Sequence, residues 1–529
     1  MKAKYISYQD THSFPKLVLD YVNDEDFLKP FYSFRPDMDG LKQAIDARNF
    51  KGNRAELVEV LLRQYENVKT NKSVKHNINS LANENTFTVT TGHQLNLFTG
   101  PLYFIYKIVT TINLALELKI AHPDKNFVPV YWMATEDHDF EEINHVSVDE
   151  KNISWIQQTN GATGRLNTKT VAAAVLAYKG YLGISKNGKK LAKLVENAYL
   201  NNENLADATR VLVNSLFENY GLVIIDADDP KLKGQFASII KEDITAQHSA
   251  NLTIKTSESL EANGYKTQVN GRDINFFYLL DNLRERIVEK DGRYQVKGTE
   301  INFTKDSLLA EIDAHPERFS PNVIMRPLYQ EVILPNIAYI GGGAEVSYWM
   351  QLKANFDYYT VDFPVLLLRN SALLIDHRSA ENLSKLGFNL EDAFLPTEEL
   401  QTIWVKKNSE SKITLDDDKR ALQAVFDKIK LSAFKIDKTL ENSADAAKTK
   451  TNHLIEKLEQ KFLKAEKRKH ETSLNKIENV KKRLFPNGTL QERVVNLAPM
   501  YVNYGDDFIS SLIENFQPLG GDFTLLLPS

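Results

Sequence analysis

The chain predicts an α/β protein: a doubly wound parallel sheet with inserted connecting segments and a long α-helical coiled-coil hairpin. Three observations carry this reading. Residues 86–133 read strand, helix, strand, which is the βαβ unit of a parallel sheet. Short apolar runs at 222–225, 336–340 and 364–368 supply further strands. Residues 411–485 hold no Gly or Pro over 75 positions, and their apolar residues step by three or four.

Taken in order, residues 1–83 read as a mostly helical segment. Turns are marked by Pro15, Pro30 and Pro36, and Leu57, Val58, Val60, Leu61 and Leu62 give an apolar helical face. Residues 84–249 form the first half of the core. There Thr86-Phe87-Thr88-Val89-Thr90-Thr91 is a β-rich run that stops at Gly92. Pro101 is expected to open a helix reaching about Leu118, since a proline in the first turn gives up no helical hydrogen bond. The run at 127–133 is the second strand, and helices are expected at 205–220 and 230–247. Residues 250–320 read as a connecting insertion with hairpin texture around Gly271, Asp291-Gly292 and Gly298. The core resumes over 321–400. Residues 401–486 form the coiled-coil domain, with Leu440, Ala444, Ala447, Leu454, Leu458 and Phe462 along its seam. Its end is basic, with nine Lys or Arg against three Glu over 461–483. Pro486-Asn487-Gly488 stops the helix, and 487–529 is expected to return to the core.

The balance of 65 basic and 70 acidic side chains leaves a formal charge of −5, which argues against a general nucleic-acid binder. The chain has no cysteine. That excludes disulfides, thiolate nucleophiles and cysteine-ligated metals, so any thiol handled here belongs to a substrate. The start shows no apolar signal region, and no run reaches the roughly 18 apolar residues of a membrane helix. The expectation is a soluble, cytoplasmic protein with neither membrane nor nucleic acid as partner.

Chemistry-bearing residues gather at strand ends, where open α/β sheets bind ligands. Gly92-His93-Gln94 follows the first strand, and the loop ends at Gly100-Pro101, where helix N–H groups favour an anion. Glu136-Asp137-His138-Asp139 follows the second strand, with Glu141, Glu142 and His145 close behind. Carboxylates this dense raise one another's pKa and need a cation, an amine or a metal as partner. Arg326 and Gln330 lie before Gly341-Gly342-Gly343, with Glu345 and Tyr348 after it; such a glycine turn admits close backbone approach to a phosphate. Arg369 ends the run at 364–368, and Arg493 lies in Gln491-Glu492-Arg493. Either arginine can grip a carboxylate or phosphate bidentately. Each motif alone also has a plain reading, as an ordinary loop, acidic cap, turn or surface ion pair.

Together these residues resemble one family, the BshC-type cysteine-adding enzymes of bacillithiol biosynthesis. The resemblance rests on Thr91-Gly92-His93-Gln94, Phe98-Thr99-Gly100-Pro101-Leu102-Tyr103, Pro129-Val130-Tyr131-Trp132 and Glu136-Asp137-His138-Asp139-Phe140. Ile143-Asn144-His145, Arg326-Pro327, Gly341-Gly342-Gly343, Tyr348-Trp349 and Gln491-Glu492-Arg493 continue it, so it spans about residues 84–500. It implies a Rossmann-like core, connecting insertions, and a coiled coil used for homodimerisation. It implies a ligase that joins L-cysteine to glucosaminyl-malate through an amide, the last step of bacillithiol formation. The core is similar to that of class I aminoacyl-tRNA synthetases, which places His93 like a phosphate-binding histidine. This chain shows Gly-His-Gln where that signature reads His-x-Gly-His, and it has no Lys-Met-Ser-Lys-Ser segment.

On this reading His93, Glu136, Asp137 and His138 are the catalytic candidates. Gln94, Asp139, His145, Arg326, Gln330, Glu345, Tyr348 and Arg369 are the substrate-binding ones. Gly92, His93, Gly100 and Gly342 would hold ATP or ADP. Asp137 and His138 would bind the cysteine amino group or act as base, and Arg326 or Arg369 would hold the malate carboxylates. Alternatives are a zinc site from His93, Asp137, His138 and His145, an ATP-independent cysteine transferase, a tRNA-directed synthetase-like enzyme, and a non-catalytic coiled-coil scaffold.

Overall fold

The computed structural model describes residues 1–149, 151–410 and 413–528; Ser411, where the uninterrupted helical run begins, lies outside them. The chain packs into two compact units. Met1–Leu373 with Gln491–Leu527 make one, and Leu374–Leu490 make the other.

The first unit is built on five parallel strands: β1 (Thr86–His93), β2 (Asn126–Met133), β3 (Val223–Asp226), β4 (Asn336–Gly341) and β5 (Val365–Leu368). Their order in the sheet is 3-2-1-4-5, with Thr90 opposite Val130 on one side and Tyr339 on the other. A parallel sheet is covered on both faces, so its strands read as continuous runs without polar alternation. The threonines of β1 obey this at a condition: buried hydroxyls need partners. Thr88 and Thr90 donate to Asn336 Oδ1 at 3.1 and 2.8 Å, and Asn336 Nδ2 donates to Glu331 at 2.7 Å.

The strand order turns back between β1 and β4. Connections leaving these two strands diverge there, which opens a crevice beyond their carboxyl ends. Helix Tyr103–Ala121 follows β1 and is buried along most of its length. It begins two residues later than the sequence suggests. Pro101 sits in a β-bridge with Asn496, and the Leu102 N–H donates to Val495 O at 2.8 Å. The preceding loop holds Phe98 and Thr99 at φ 48° and 73°, a left-handed conformation rare for such side chains. Asn496 braces it, donating from Nδ2 to Phe98 O and Gly100 O at 2.9 and 2.6 Å, while its Oδ1 accepts from Tyr178 at 2.7 Å.

The N-terminal segment is helical after its first residues but starts with a strand, Lys2–Ser7, paired antiparallel with Asp522–Leu527. Only Ile6 of that strand is buried, so it carries no apolar run to read. The insertion opens with helix His248–Ala262 and continues as a five-stranded sheet. Asp291 and Gly292, at φ 53° and 74°, form the two-residue turn between antiparallel strands Leu283–Lys290 and Arg293–Val296.

In the second unit, helices Asp416–Ile436 and Glu441–Lys469 run antiparallel. Lys430 pairs with Asp445 at 2.7 Å and Lys419 with Glu459 at 2.6 Å. The seam does not run on through the third helix: the backbone breaks at His470, and Glu471–Leu484 instead buries Leu474, Ile477, Val480 and Leu484. In the long pair, Leu454, Leu458 and Phe462 stay 65, 43 and 41 % exposed.

Asn496→Ala leaves two carbonyls and a tyrosine hydroxyl without partners and is expected to destabilise the protein by about 2–3 kcal/mol. Chemical unfolding measures this, and a loss below about 0.5 kcal/mol would show that the loop holds its left-handed residues unaided.

Candidate active site

The crevice between β1 and β4 is a cleft of about 780 Å³. Gly92, His93 and Gln94 enter it from β1, and Glu136, Asp137 and His138 from the end of β2. Arg326, Gly342, Glu345, Tyr348, Arg369 and Arg493 close it from the β4 side and beyond. Candidates from distant parts of the sequence thus come to one place.

Lys107 organises the floor. It lies one helical turn past Tyr103, is 3 % exposed, and donates to Gly92 O at 2.9 Å while pairing with the Glu345 carboxylate. Burial pulls its pKa down, and Glu345 opposes this. Glu345 also accepts from Tyr339 Oη and the Gly342 N–H, each at 2.8 Å. Burial pushes the Glu345 carboxyl up, but Lys107 and these donors outweigh it and hold it below the usual range. Glu345 and Gly342 therefore satisfy each other and Lys107, and the Gly342 N–H is already taken, contrary to the expectation for it. Gly92 has little room to spare, since a Cβ there would lie 3.3 Å from Tyr339 Oη.

His93 stacks on Phe104 at 5.0 Å and meets Tyr103 edge-on at 5.3 Å. Its Nε2 lies 3.3 Å from the Asn96 side-chain amide nitrogen, which can only donate. Burial first, then the Lys107 and Arg369 cations, hold the imidazole well below its usual pKa, so it is neutral. Gln94 Nε2 donates to Asp137 Oδ2 at 2.7 Å and to Glu142 at 2.9 Å. Asp137 Oδ1 accepts the His138 N–H at 2.8 Å. His138 Nδ1 faces Arg284 Nη1 at 2.7 Å.

Other candidates are engaged by the chain's own groups or lie outside the cleft. Glu136 pairs with Lys233, which is fully buried and also donates to Phe319 O at 3.1 Å. Burial raises the Glu136 pKa, and Lys233 opposes it. This pair ties the β2 end to the inserted sheet, so the Glu136 carboxyl is engaged by the chain's own Lys233. Arg369 donates to Glu492 at 2.6 Å and to Ser371 Oγ at 2.9 Å, with only Nε lacking a partner. Its grip is on this chain's own carboxylate. Gln330 is buried behind Arg326, accepting from its Nη1 at 3.0 Å. Gly100 lies outside the cleft, and a Cβ there would strike Asn96; the helix start beside it is covered by Val495, which removes the expected anion site. Asp139 and His145 are exposed and line no part of the cleft. His145 instead contacts Asn144 Oδ1 at 3.0 Å. His93, Asp137, His138 and His145 do not converge, and no group of three or more metal-ligating side chains is assembled among the described residues.

What remains is a strong cationic excess. Arg326 lies against Trp132, Tyr339 and Trp349 with its guanidinium 5.6–5.8 Å from each ring, and its buried Nη2 has no hydrogen-bond partner. Arg272 and Arg493 line the cleft and are exposed. With Lys107–Glu345, Lys233–Glu136 and Arg369–Glu492 matched internally, Arg272, Arg284, Arg326 and Arg493 stand against Asp137 alone. Sequence reasoning missed Lys107, Lys233, Arg272 and Arg284. Lys107 carried a legible signal, as the one charge between Leu102 and Ala115 in an apolar helix. The others owe their roles to partners far along the chain.

The unfolded chain protonates a histidine near pH 6.5, and folded His93 does so well below that. Between the two values the unfolded state binds more protons, so this stability is complete above about pH 6.5 and is lost as pH falls. His93→Gln is therefore expected to flatten the acid-side slope of unfolding free energy by up to about 1.4 kcal/mol per pH unit. An unchanged slope would mean that His93 is not held neutral.

Comparison with known proteins assigns the whole chain. A model of the bacillithiol biosynthesis BshC N-terminal Rossmann-like domain matches residues 1–370, and one of the BshC C-terminal coiled-coil domain matches 372–527. Proteins named "Putative cysteine ligase BshC" from Flavobacterium psychrophilum and Flavobacterium johnsoniae are each 46% identical, covering 99% of this chain and 99% and 100% of theirs. One from Christiangramia forsetii is 42% identical over 99% of both chains. The cleft and the helical unit thus sit in one continuous similarity, and the chain belongs to the BshC family of bacillithiol biosynthesis.

Proposed function

We infer that this chain is a cysteine ligase of bacillithiol biosynthesis, joining the cysteine carboxyl to the amine of glucosaminyl-malate as an amide. The observation that carries the reading is the cationic cleft at the strand-order reversal, where four arginines face one aspartate. Such a site suits a substrate bearing two carboxylates, and polyphosphate beside it. Arg326 suits a malate carboxylate: its buried Nη2 lacks a partner and its guanidinium lies among aromatic rings. Tyr348 adds a hydroxyl at the same wall, kept protonated by burial.

Amide formation from a carboxylate needs a leaving group on the acyl carbon and a base for the attacking amine. Bound ATP would supply the first, by activating the cysteine carboxylate, and Arg493, Arg272 and neutral His93 are the groups that fit its phosphates. The Gly100 and Gly342 N–H cradle does not fit, since both places are filled by the chain's own groups. Asp137 is the base and the amine holder. Each of its oxygens already accepts one hydrogen bond, and each retains a second acceptor site. Gln94 fixes its orientation. The absence of cysteine from the chain leaves the substrate thiol without a competitor for oxidation or exchange.

The open seam of the long helices supports a homodimer. Ile429 and Phe434 join Leu454, Leu458 and Phe462 in leaving large apolar side chains exposed. A second copy would cover them by the same knobs-into-holes packing that a coiled coil uses.

Incubation with cysteine, glucosaminyl-malate and ATP is expected to give the joined product by mass, and none without ATP. No product with ATP present would end the ligase reading; equal product without it would end the activation step. Asp137→Asn should lower turnover by about 10²–10⁴-fold with unfolding unchanged. Full activity in that variant removes Asp137 as base. Leu454→Asp with Leu458→Asp should convert a sedimenting dimer to a monomer, and a wild-type monomer would refute the seam as interface.

A further inference from the structure

We propose that Arg284 is a positioning residue that fixes His138 as a neutral imidazole protonated on Nε2, so that His138 donates to an anionic oxygen in the cleft and takes no proton from substrate. The state of His138 follows from geometry alone; its use in the reaction rests on the ligase reading above.

Arg284 comes from Leu283–Lys290 of the inserted sheet, not from the Rossmann-like core. Its side chain is 7 % exposed and places Nη1 2.7 Å from His138 Nδ1. A guanidinium has donors only, so Nδ1 must offer its lone pair. An imidazolium would set one N–H against another. The arginine is not at liberty to turn aside: Nε donates to Ser320 Oγ at 3.1 Å, Nη2 to Pro321 O at 3.3 Å, and the guanidinium lies 4.1 Å over the Phe277 ring. Phe277 also flanks His138, at 5.6 Å between centroids.

The charges facing the ring divide clearly. Burial and Arg284 favour the neutral form; Asp137, Asp139 and Glu285 favour the cation, and the first pair prevails. With its only lone pair engaged, the ring cannot act as base, because a general base must have an unoccupied acceptor atom within reach of the proton. What it offers is the opposite, an N–H on the side away from Arg284. A neutral imidazole N–H held in advance stabilises negative charge without a proton being released. The base role falls to neighbouring Asp137, and the two residues that appear redundant in Glu136-Asp137-His138-Asp139 take complementary parts.

The test is nitrogen-15 spectroscopy of histidine-labelled protein, with His138→Gln used for assignment. The wild type is expected to show the Nε2–H tautomer at pH 7 and to remain neutral well into the acid range. Arg284→Met should raise the His138 titration by about one to three units. An Nδ1–H or imidazolium signature in the wild type at pH 7, or an unmoved titration in the variant, overturns the proposal. Arg284→Met also loses the Ser320 and Pro321 contacts; should it not fold, the wild-type spectrum decides. His138→Gln keeps a donor, so cysteine addition should stay within about tenfold of wild type. A fall of about 10²–10⁴-fold, the range of a lost general base, also overturns it. A wild type without any turnover would instead break the ligase reading and leave the spectrum to judge Arg284.

Discussion

Everything about the cleft depends on one buried ammonium. Lys107 lies where the sheet order turns back, and its ammonium reaches the end of β1 through Gly92 O and the helix after β4 through Glu345. The connections leaving those strands diverge, and the ammonium links them. Glu345 passes the constraint on, to Gly342 and Tyr339. A buried charge of either sign alone would be strongly destabilising, so neither Lys107 nor Glu345 can change independently. The result is a rigid floor with no net charge, against which the surrounding arginines act undiminished.

A second pattern follows: the cleft's charges divide into those spent on the protein and those left for a ligand. Glu136, Glu345 and Arg369 are spent, each facing a partner from a different element. Arg326 is left with its Nη2 unpartnered, its Nη1 donating to Gln330 and its guanidinium lying among aromatic rings. Residue type does not distinguish the two classes. Arg326 and Arg369 look alike in sequence, each beside a strand, and only Glu492, 123 positions away from Arg369, separates them.

That is why the sequence made the sheet legible and the site only partly so. β1, β2 and β4 were visible because β-branched runs end at Gly92, at the acidic cluster after Met133, and at Gly341. Local patterning records a strand, and the carboxyl-end rule then points to His93 and Asp137. Strand Lys2–Ser7 was invisible, since its partner supplies the order that its own polar sequence lacks. Arg284 and Lys233 were invisible for a related reason: each acts across an inserted sheet whose docking no local period encodes. The Gly100 expectation failed because helix N-termini attract the chain's own carbonyls as readily as a ligand, and Val495 reaches this one first.

The strap at Gln491–Asn496 also has a bearing on biosynthetic timing. The cleft needs Glu492 against Arg369, and the loop after β1 needs Asn496 against Phe98, a separation of 398 residues. Between Arg369 and that strap the ribosome must make all of Leu374–Leu490. The nascent sheet therefore waits with an uncapped guanidinium and an unbraced left-handed loop while the helical unit emerges. Contacts of such long range form late and slow folding. The newly made enzyme is thus held with an incomplete pocket until its helical unit has been produced, an order of events written into the topology alone.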